Sequence, residues 1–274
     1  MSKPKYRNSD WLESELEGKS QKRIAENLGV TTACINKWKR KHEIEQEERV
    51  QCPDCSGKYK KLALHWYYNP SHRPEITSKQ EDIITGILMG DGTMNREEDK
   101  NPRLQVYMTN KEYLSYIDGI FGILSTGVYH HLTPEESAKN AGLLHVNPEN
   151  CKDVYGWQTR RDPRLEKFAS WYSAGTKSFP KDIVLTPTVL KHWYVCDGTF
   201  DKSNRSIKIS CCNEYGKEGK LEKIFSKVDI DVGNFSKMKT SERERLSIQF
   251  HSEESEKIFD YMGEPLPGFE YKWP

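Results

Sequence analysis

Two stretches in separate parts of the chain read almost as copies: Ile84-Thr85-Gly86-Ile87-Leu88-Met89-Gly90-Asp91-Gly92 and Leu190-Lys191-His192-Trp193-Tyr194-Val195-Cys196-Asp197-Gly198. Each is an apolar run that ends in Asp-Gly. If the runs are helical, Gly86 and Gly90 lie on one face, where a partner helix can approach closely. His192 and Cys196 occupy the matching places in the second run; cysteine suits such a seam, whereas histidine is bulky for it. Helices packed side by side would bring Asp91 and Asp197 out together at one end. Two neighbouring carboxylates repel unless cations sit between them, and oxygen ligation favours magnesium. Paired acids on a pseudo-twofold axis are what a two-metal phosphodiesterase needs. Asp-Gly alone is a common turn; its recurrence in register with a repeat is what carries weight.

A second constellation is Cys52-Pro53-Asp54-Cys55 followed by His65 and His72, a C-x2-C-x9-H-x6-H spacing. Two thiolates and two imidazoles satisfy tetrahedral zinc, and a segment this short does not otherwise bury a core. The histidine gaps lie outside the commonest finger spacing, so a reduced Cys-x-x-Cys beside two ordinary histidines is the plainer alternative. With all four positions filled by protein, the expected zinc is single and structural. No βαβ pattern surrounds the pair to suggest redox chemistry, and seven cysteines at uneven spacing do not form a secreted disulfide framework.

Ahead of that segment, Gln21–Leu28 has helical periodicity with Ile24, Ala25 and Leu28 on one face. Gly29 ends it, and Thr31 is placed to cap a second helix running to Lys41. Ile35 and Trp38 face inward, while Thr32, Asn36, Lys37, Lys39 and Arg40 lie on the other side. A short helix, a glycine turn and a basic second helix form the helix-turn-helix pattern, with a generic helical hairpin as the alternative. Thr31, Thr32, Asn36, Lys37, Lys39 and Arg40 are the candidate DNA contacts.

The elements that must position these groups divide the chain into three pieces: a helical module over about 8–46, a zinc-binding knuckle over 50–76 and an α+β domain over 77–274. In the last, Ser78 with Glu81 forms a candidate capping box before the first acidic motif. Thr186 followed by Pro187 supplies an N-cap and first-turn proline before the second. Strand patterns fall at 104–108, 207–211, 232–237 and 245–250, and amphipathic helices at 111–124, 163–172, 217–228 and 253–262. The order helix, two strands, helix, two strands, helix occurs twice, with repeats of about 77–175 and 176–274.

The net charge of +1 across 274 residues does not by itself suggest nucleic acid, but its distribution does. Lysine and arginine crowd residues 19–42, and again 56–73 where there is no acid. With 35% hydrophobic residues the chain can bury a core, and no run approaches the roughly 18 apolar residues of a membrane span. The N-terminus lacks the apolar stretch of a signal peptide, so an intracellular protein without a membrane partner is expected.

The paired nonamers resemble the motifs of the LAGLIDADG homing endonucleases in their single-chain, two-repeat form, and residues 77–274 resemble that family over nearly their whole length. Lys177, in Thr176-Lys177-Ser178-Phe179-Pro180, is similar to the lysine of that family's lysine–x–Ile–Pro segment. Lys272 stands in Pro267-Gly268-Phe269-Glu270-Tyr271-Lys272, like the closing Pro–x–x–Met–x–Tyr–Lys. The resemblance implies saddle-shaped antiparallel sheets over DNA. It assigns magnesium, two ions or more, to Asp91 and Asp197 with help from the carbonyls of Gly90 and Cys196. Lys177 and Lys272 would each serve one strand. It further implies a monomer that makes a double-strand break with short 3′ overhangs at a long asymmetric site. Met108 or Thr109 and Cys211 or Cys212 stand where many members carry a polar residue, a departure that leaves one strand open to slower cutting. A non-cleaving DNA-binding regulator and an intron RNA maturase are the other functions the same fold can serve. An intein is disfavoured, because no His-Asn junction closes the chain.

Overall fold

The computed structural model describes residues 4–18, 21–42, 44, 50–59, 62–140, 148–173, 175–239 and 244–274. The chain forms two compact units, Met1–Arg73 and Pro74–Pro274.

In the first unit, helices α1 (Ser9–Gly18), α2 (Gln21–Leu28) and α3 (Thr32–Lys41) enclose Leu12, Ile24, Ala25 and Ile35. The small Ala25 sits in this core beside Leu28 and Val30. Gly29 takes a φ of +63° as α2 ends, a conformation glycine adopts without steric cost. Thr31 then caps α3 by accepting from the Cys34 N–H at 3.3 Å. After residue 49 come a two-strand ribbon, β1 (Val50–Gln51) and β2 (Lys58–Tyr59), and a short helix α4 (Leu62–Tyr68). Only Cys52, Leu62 and Trp66 are buried there among the described residues, too little apolar surface to hold such a segment unaided.

The second unit opens with α5 (Ser78–Met89), then β3 (Thr93–Asn95), β4 (Arg103–Met108), α6 (Lys111–Phe121), β5 (Ser125–Leu132), α7 (Pro134–Asn140), β6 (Val154–Thr159) and α8 (Glu166–Ala169). A small hairpin, β7 (Tyr172–Ser173) and β8 (Thr176–Lys177), leads to the second half. That half comprises α9 (Pro187–Asp197), β9 (Gly198–Asp201), β10 (Ser206–Ser210), α10 (Glu218–Ser226), β11 (Asn234–Lys239), β12 (Glu244–Gln249) and α11 (Ser252–Met262). The two four-stranded antiparallel sheets have matching orders, β3-β4-β6-β5 and β9-β10-β12-β11. The duplicated α+β order is therefore present, with α7 as an insertion confined to the first half.

Several local expectations shift. The capping box is Thr77 with Gln80, one residue earlier than expected. Thr77 Oγ1 accepts from the Gln80 N–H at 3.2 Å and Gln80 Oε1 accepts from the Thr77 N–H at 2.9 Å. The Gln80 amide also donates to Ile120 O at 2.9 Å, so it is satisfied at both ends where a carboxylate could not be, and Glu81 stays outside beside Lys167. The helix expected over 111–124 stops at Phe121 because Gly122 turns to a φ of +47°. The one expected over 163–172 is broken, with only Glu166–Ala169 α-helical before the chain extends into β7. No helix among the described residues is long and apolar enough to cross a membrane.

Candidate active site and metal cluster

Helices α5 and α9 form the seam between the halves. A Cβ on Gly86 would lie 2.4 Å from Val189 O and 2.7 Å from His192 Cβ; one on Gly90 would lie 2.3 Å from Cys196 Cβ. Glycine is thus required at both places by the close approach of the partner helix. His192 fits because its ring turns away from the seam towards α6, where Nδ1 meets the Tyr113 hydroxyl at 2.7 Å. It is 1% exposed, and burial, with smaller contributions from Lys191 and Lys79, holds its pKa down to about 3. The imidazole is neutral, which suits a buried seam.

At the end of that seam emerge Asp91 and Asp197. The position a Gly90 Cβ would take is 3.5 Å from Asp197 Oδ2, which places the second acid beside the end of the first helix. Asp91 keeps a solvent-facing edge, but the protein crowded around it raises its carboxyl, against the pull of Lys177 and Lys272. Asp197 is raised further, to about 7, by burial and then by the charge of Asp91, with the same two lysines opposing. The pair therefore resists carrying two negative charges, the situation a divalent cation relieves. These carboxylates, with backbone oxygen nearby, fit a hard oxygen-seeking ion.

Each lysine is seated on backbone carbonyls flanking one acid. Lys177 Nζ donates to Gly90 O at 2.6 Å and Gly92 O at 3.0 Å, and Lys272 Nζ to Val195 O and Gly198 O, both at 2.8 Å. The two arrangements differ by one residue because α5 ends at Met89, before its acid, whereas α9 runs through Asp197. Gly90 O, one of the expected metal ligands, thus already accepts from Lys177, while Lys272 bypasses Cys196 for Val195. Burial lowers the proton affinity of both lysines, and the nearby acids partly restore it. An ammonium has three donors, so each keeps one N–H for another partner. Lys177 rides on β8, opposite Tyr172, whose hydroxyl accepts from the Met94 N–H at 3.0 Å.

In the other unit Cys52, Cys55, His65 and His72 converge, all four ligand atoms lying within 4.8 Å of one another. Tetrahedral zinc, with bonds of about 2.0–2.3 Å, sets its sulfur and nitrogen ligands about 3.5 Å apart. Cys55 Sγ stands 3.5 Å from His65 Nε2, which is 3.1 Å from His72 Nδ1. The remaining ring nitrogens have partners: Asp54 Oδ2 lies 3.3 Å from His72 Nε2, and the Asn69 amide 3.3 Å from His65 Nδ1. Such contacts fix imidazole orientation at metal sites. Burial alone would raise the Cys52 thiol, but hydrogen bonds from the Cys55 and Asp54 backbone carry it below its ordinary value. The donor set fits zinc. Asp54 and Asn69 escaped notice in the sequence, although Asp54 lies inside the Cys-x-x-Cys itself.

On α3, Thr31, Thr32, Lys37 and Arg40 are exposed, while Asn36 and Lys39 are half-buried. The Thr31 hydroxyl is engaged in its cap and Arg40 Nε donates to Asn36 O at 3.4 Å.

Comparison with known proteins bears on the family and the fold. Residues 81–258 match the model of the LAGLIDADG DNA endonuclease family. The chain is 24% identical over 195 residues to the uncharacterised protein MJ1098 of Methanocaldococcus jannaschii, covering 71% of this chain and 66% of that protein. It is 26% identical over 155 residues to DNA endonuclease I-ChuI of Chlamydomonas applanata, covering 53% of this chain and 68% of the relative. The solved structure of the homing endonuclease I-WcaI bound to its DNA recognition sequence shares the fold. It superposes with a TM-score of 0.60 at 16% identity, covering 78% of this chain and 92% of that one. Because the matched span takes in both acid-tipped helices and most of the two sheets, the chain belongs to the LAGLIDADG DNA endonuclease family.

Proposed function

We propose that this protein is a magnesium-dependent, site-specific double-strand DNA endonuclease of the homing type, acting as a monomer. The observation that carries the reading is the acid pair at the end of the α5–α9 seam, with one lysine seated beside each acid. Family membership and the likeness to I-ChuI support the same substrate. Asp91 and Asp197 would hold the ions, two or more, with the Gly90 and Cys196 carbonyls as further ligands. When bound, a divalent cation supplies hydroxide at neutral pH and shields charge on the phosphate. Lys177 and Lys272 present their remaining N–H to water or phosphate, one on each strand, and stabilise charge that grows in the transition state. The break would leave short 3′ overhangs at a long asymmetric site.

The outward sheet faces are suited to duplex DNA. On β4, Arg103, Gln105 and Tyr107 alternate with Leu104 and Val106, with Gln105 itself buried and donating to Gln158 Oε1 at 2.9 Å. On the second sheet a groove is lined by Thr199, Asp201, Lys208, Asn234 and Gln249. The first unit extends the contact: α2 and α3 act as a helix-turn-helix, with Thr31, Thr32, Asn36, Lys37, Lys39 and Arg40 towards DNA. The Cys52–Cys55–His65–His72 set holds one structural zinc. Phosphate contacts there add affinity, and base contacts add specificity.

Cleavage of a randomised duplex library, with the ends sequenced, tests this. Ends clustered at one motif, and lost with Asp91→Asn or without magnesium, are expected. Selective binding with no cut ends in any condition would replace the nuclease with a DNA-binding regulator.

A further inference from the structure

The two lysines belong to different acids, yet the segment that carries each is tied down by the half that bears the other acid. Lys177 sits beside Asp91. Two residues on, the Phe179 N–H donates to Glu214 Oε1 at 2.6 Å. Glu214 stands in the turn between β10 and α10, in the half that carries Asp197. It is fully buried and paired with Lys220, which in turn donates to Phe179 O at 2.9 Å. Lys217 adds a donor to Ser178 Oγ at 2.8 Å. The dipeptide after Lys177 is thus gripped on both its backbone donor and its acceptor.

Lys272 has the mirror arrangement. It sits beside Asp197, and four residues before it Gly268 O accepts from Asn110 Nδ2 at 2.7 Å. Asn110 stands between β4 and α6, the matching junction of the half that carries Asp91, and its Oδ1 caps α6 through the Tyr113 N–H at 3.0 Å. A Cβ on Gly268 would come within 2.5 Å of the Asn110 amide, so the contact is close-packed. Phe269 lies edge-on to Tyr113 with ring centroids 5.4 Å apart. Glu214 is paired with a lysine whereas Asn110 is not, which tells the two clamps apart experimentally.

We propose that Glu214 and Asn110 are crossed positioning residues: each half of the protein sets the place of the lysine that serves the other half's acid. Positioning at this level matters, because a misplaced charge by an ångström costs transition-state stabilisation steeply. The role in catalysis rests on the nuclease reading above; the clamps themselves do not.

Two variants release the clamps without leaving a charge or a cap unmet. Glu214→Leu with Lys220→Met removes the buried pair together, while Lys217, the third member, is exposed to solvent and keeps Ser178. Asn110→Ser keeps an oxygen able to cap α6 but is too short for Gly268. Limited acetylation of the native proteins with acetic anhydride, read by mass spectrometry, reports each lysine separately. The paired Glu214 variant is expected to raise labelling of Lys177 about fivefold, one hydrogen bond's worth, with Lys272 unchanged. Asn110→Ser is expected to do the reverse, and Glu214→Gln, which keeps the acceptor for Phe179, to restore Lys177 protection. On cleaved DNA, the two variants should slow opposite strands with unchanged binding. Labelling that rises at both lysines alike, or at neither, overturns the clamps, as does equal slowing of both strands. Selective labelling in a protein that cuts no duplex upholds the clamps and rejects the nuclease reading.

Discussion

Replacing Asp197 by asparagine is expected to stabilise the protein in the absence of divalent metal while ending its chemistry. The folded carboxyl titrates at about 7, against 3.8 for an unconstrained side chain. A folded value raised in this way contributes stability that is fully present below about pH 4 and lost as pH rises through 7. The full difference corresponds to about 4 kcal/mol. Asp197 is partly exposed, and solvent screening cuts this to about 2 kcal/mol. For a unit of this size that is about 4–8 °C in melting temperature. Calorimetry from pH 4 to 8 would compare the two proteins in magnesium-free buffer without chelator, so that the Cys/His cluster keeps any ion it holds. The variant's advantage should grow between about pH 4 and 7 and then level off. Magnesium should raise the melting temperature of the parent alone and reverse the order. His192 acts with the opposite sign: held at about 3 against 6.5, it costs stability as pH falls below 6.5. That cost is common to both proteins and cancels in the difference. An advantage that does not vary with pH, or an asparagine variant less stable at pH 8, would refute the reasoning.

Gly86→Ala should destabilise the second unit by about 3 kcal/mol, the upper end for overpacking, because the obstacle at 2.4 Å is a backbone carbonyl that cannot swing aside; urea denaturation measures it. Cys52→Ser should release zinc to a colorimetric chelator and weaken binding of a duplex with long flanks, while cleavage at saturating protein persists. Full affinity with no zinc released would dismiss the metal. Lys37→Ala with Arg40→Ala should flatten the slope of log affinity against log salt by about 1 for each phosphate that is no longer neutralised, measured by titration over salt; an unchanged slope removes α3 from the interface.

The parts of the fold legible in the sequence are those whose cause is local. Gly29, Thr31, Thr186 and Pro187 mark helix ends by their own conformational preferences, and the ends fall there. Strands β5 and β6 lack a distinct signal, since β5 is interrupted by register shifts and the two are separated by the α7 insertion. The capping box falls one residue away from its expected place because the choice between Gln80 and Glu81 is made by Ile120 O, far away in the chain. The acids can be read from recurrence alone. The lysines cannot: their burial and their carbonyl seats come from tertiary structure, and only resemblance singles them out. Glu214 and Asn110 are invisible for the same reason, as nothing nearby in sequence distinguishes a buried glutamate or an asparagine at a helix start from its ordinary kin.

The unequal seam also bears on how this molecule could evolve or be re-engineered. A symmetric pair built from the first half alone would set Gly86 against Gly86 and leave the Tyr113 hydroxyl without the His192 nitrogen it now meets. A pair built from the second half alone would drive histidine into a carbonyl that tolerates no side-chain atom. The two halves thus bring unlike faces to the seam, each fitted to the other. Domain-shuffling that joins halves from different members of the family must therefore carry residues 86, 113 and 192 as one inherited set.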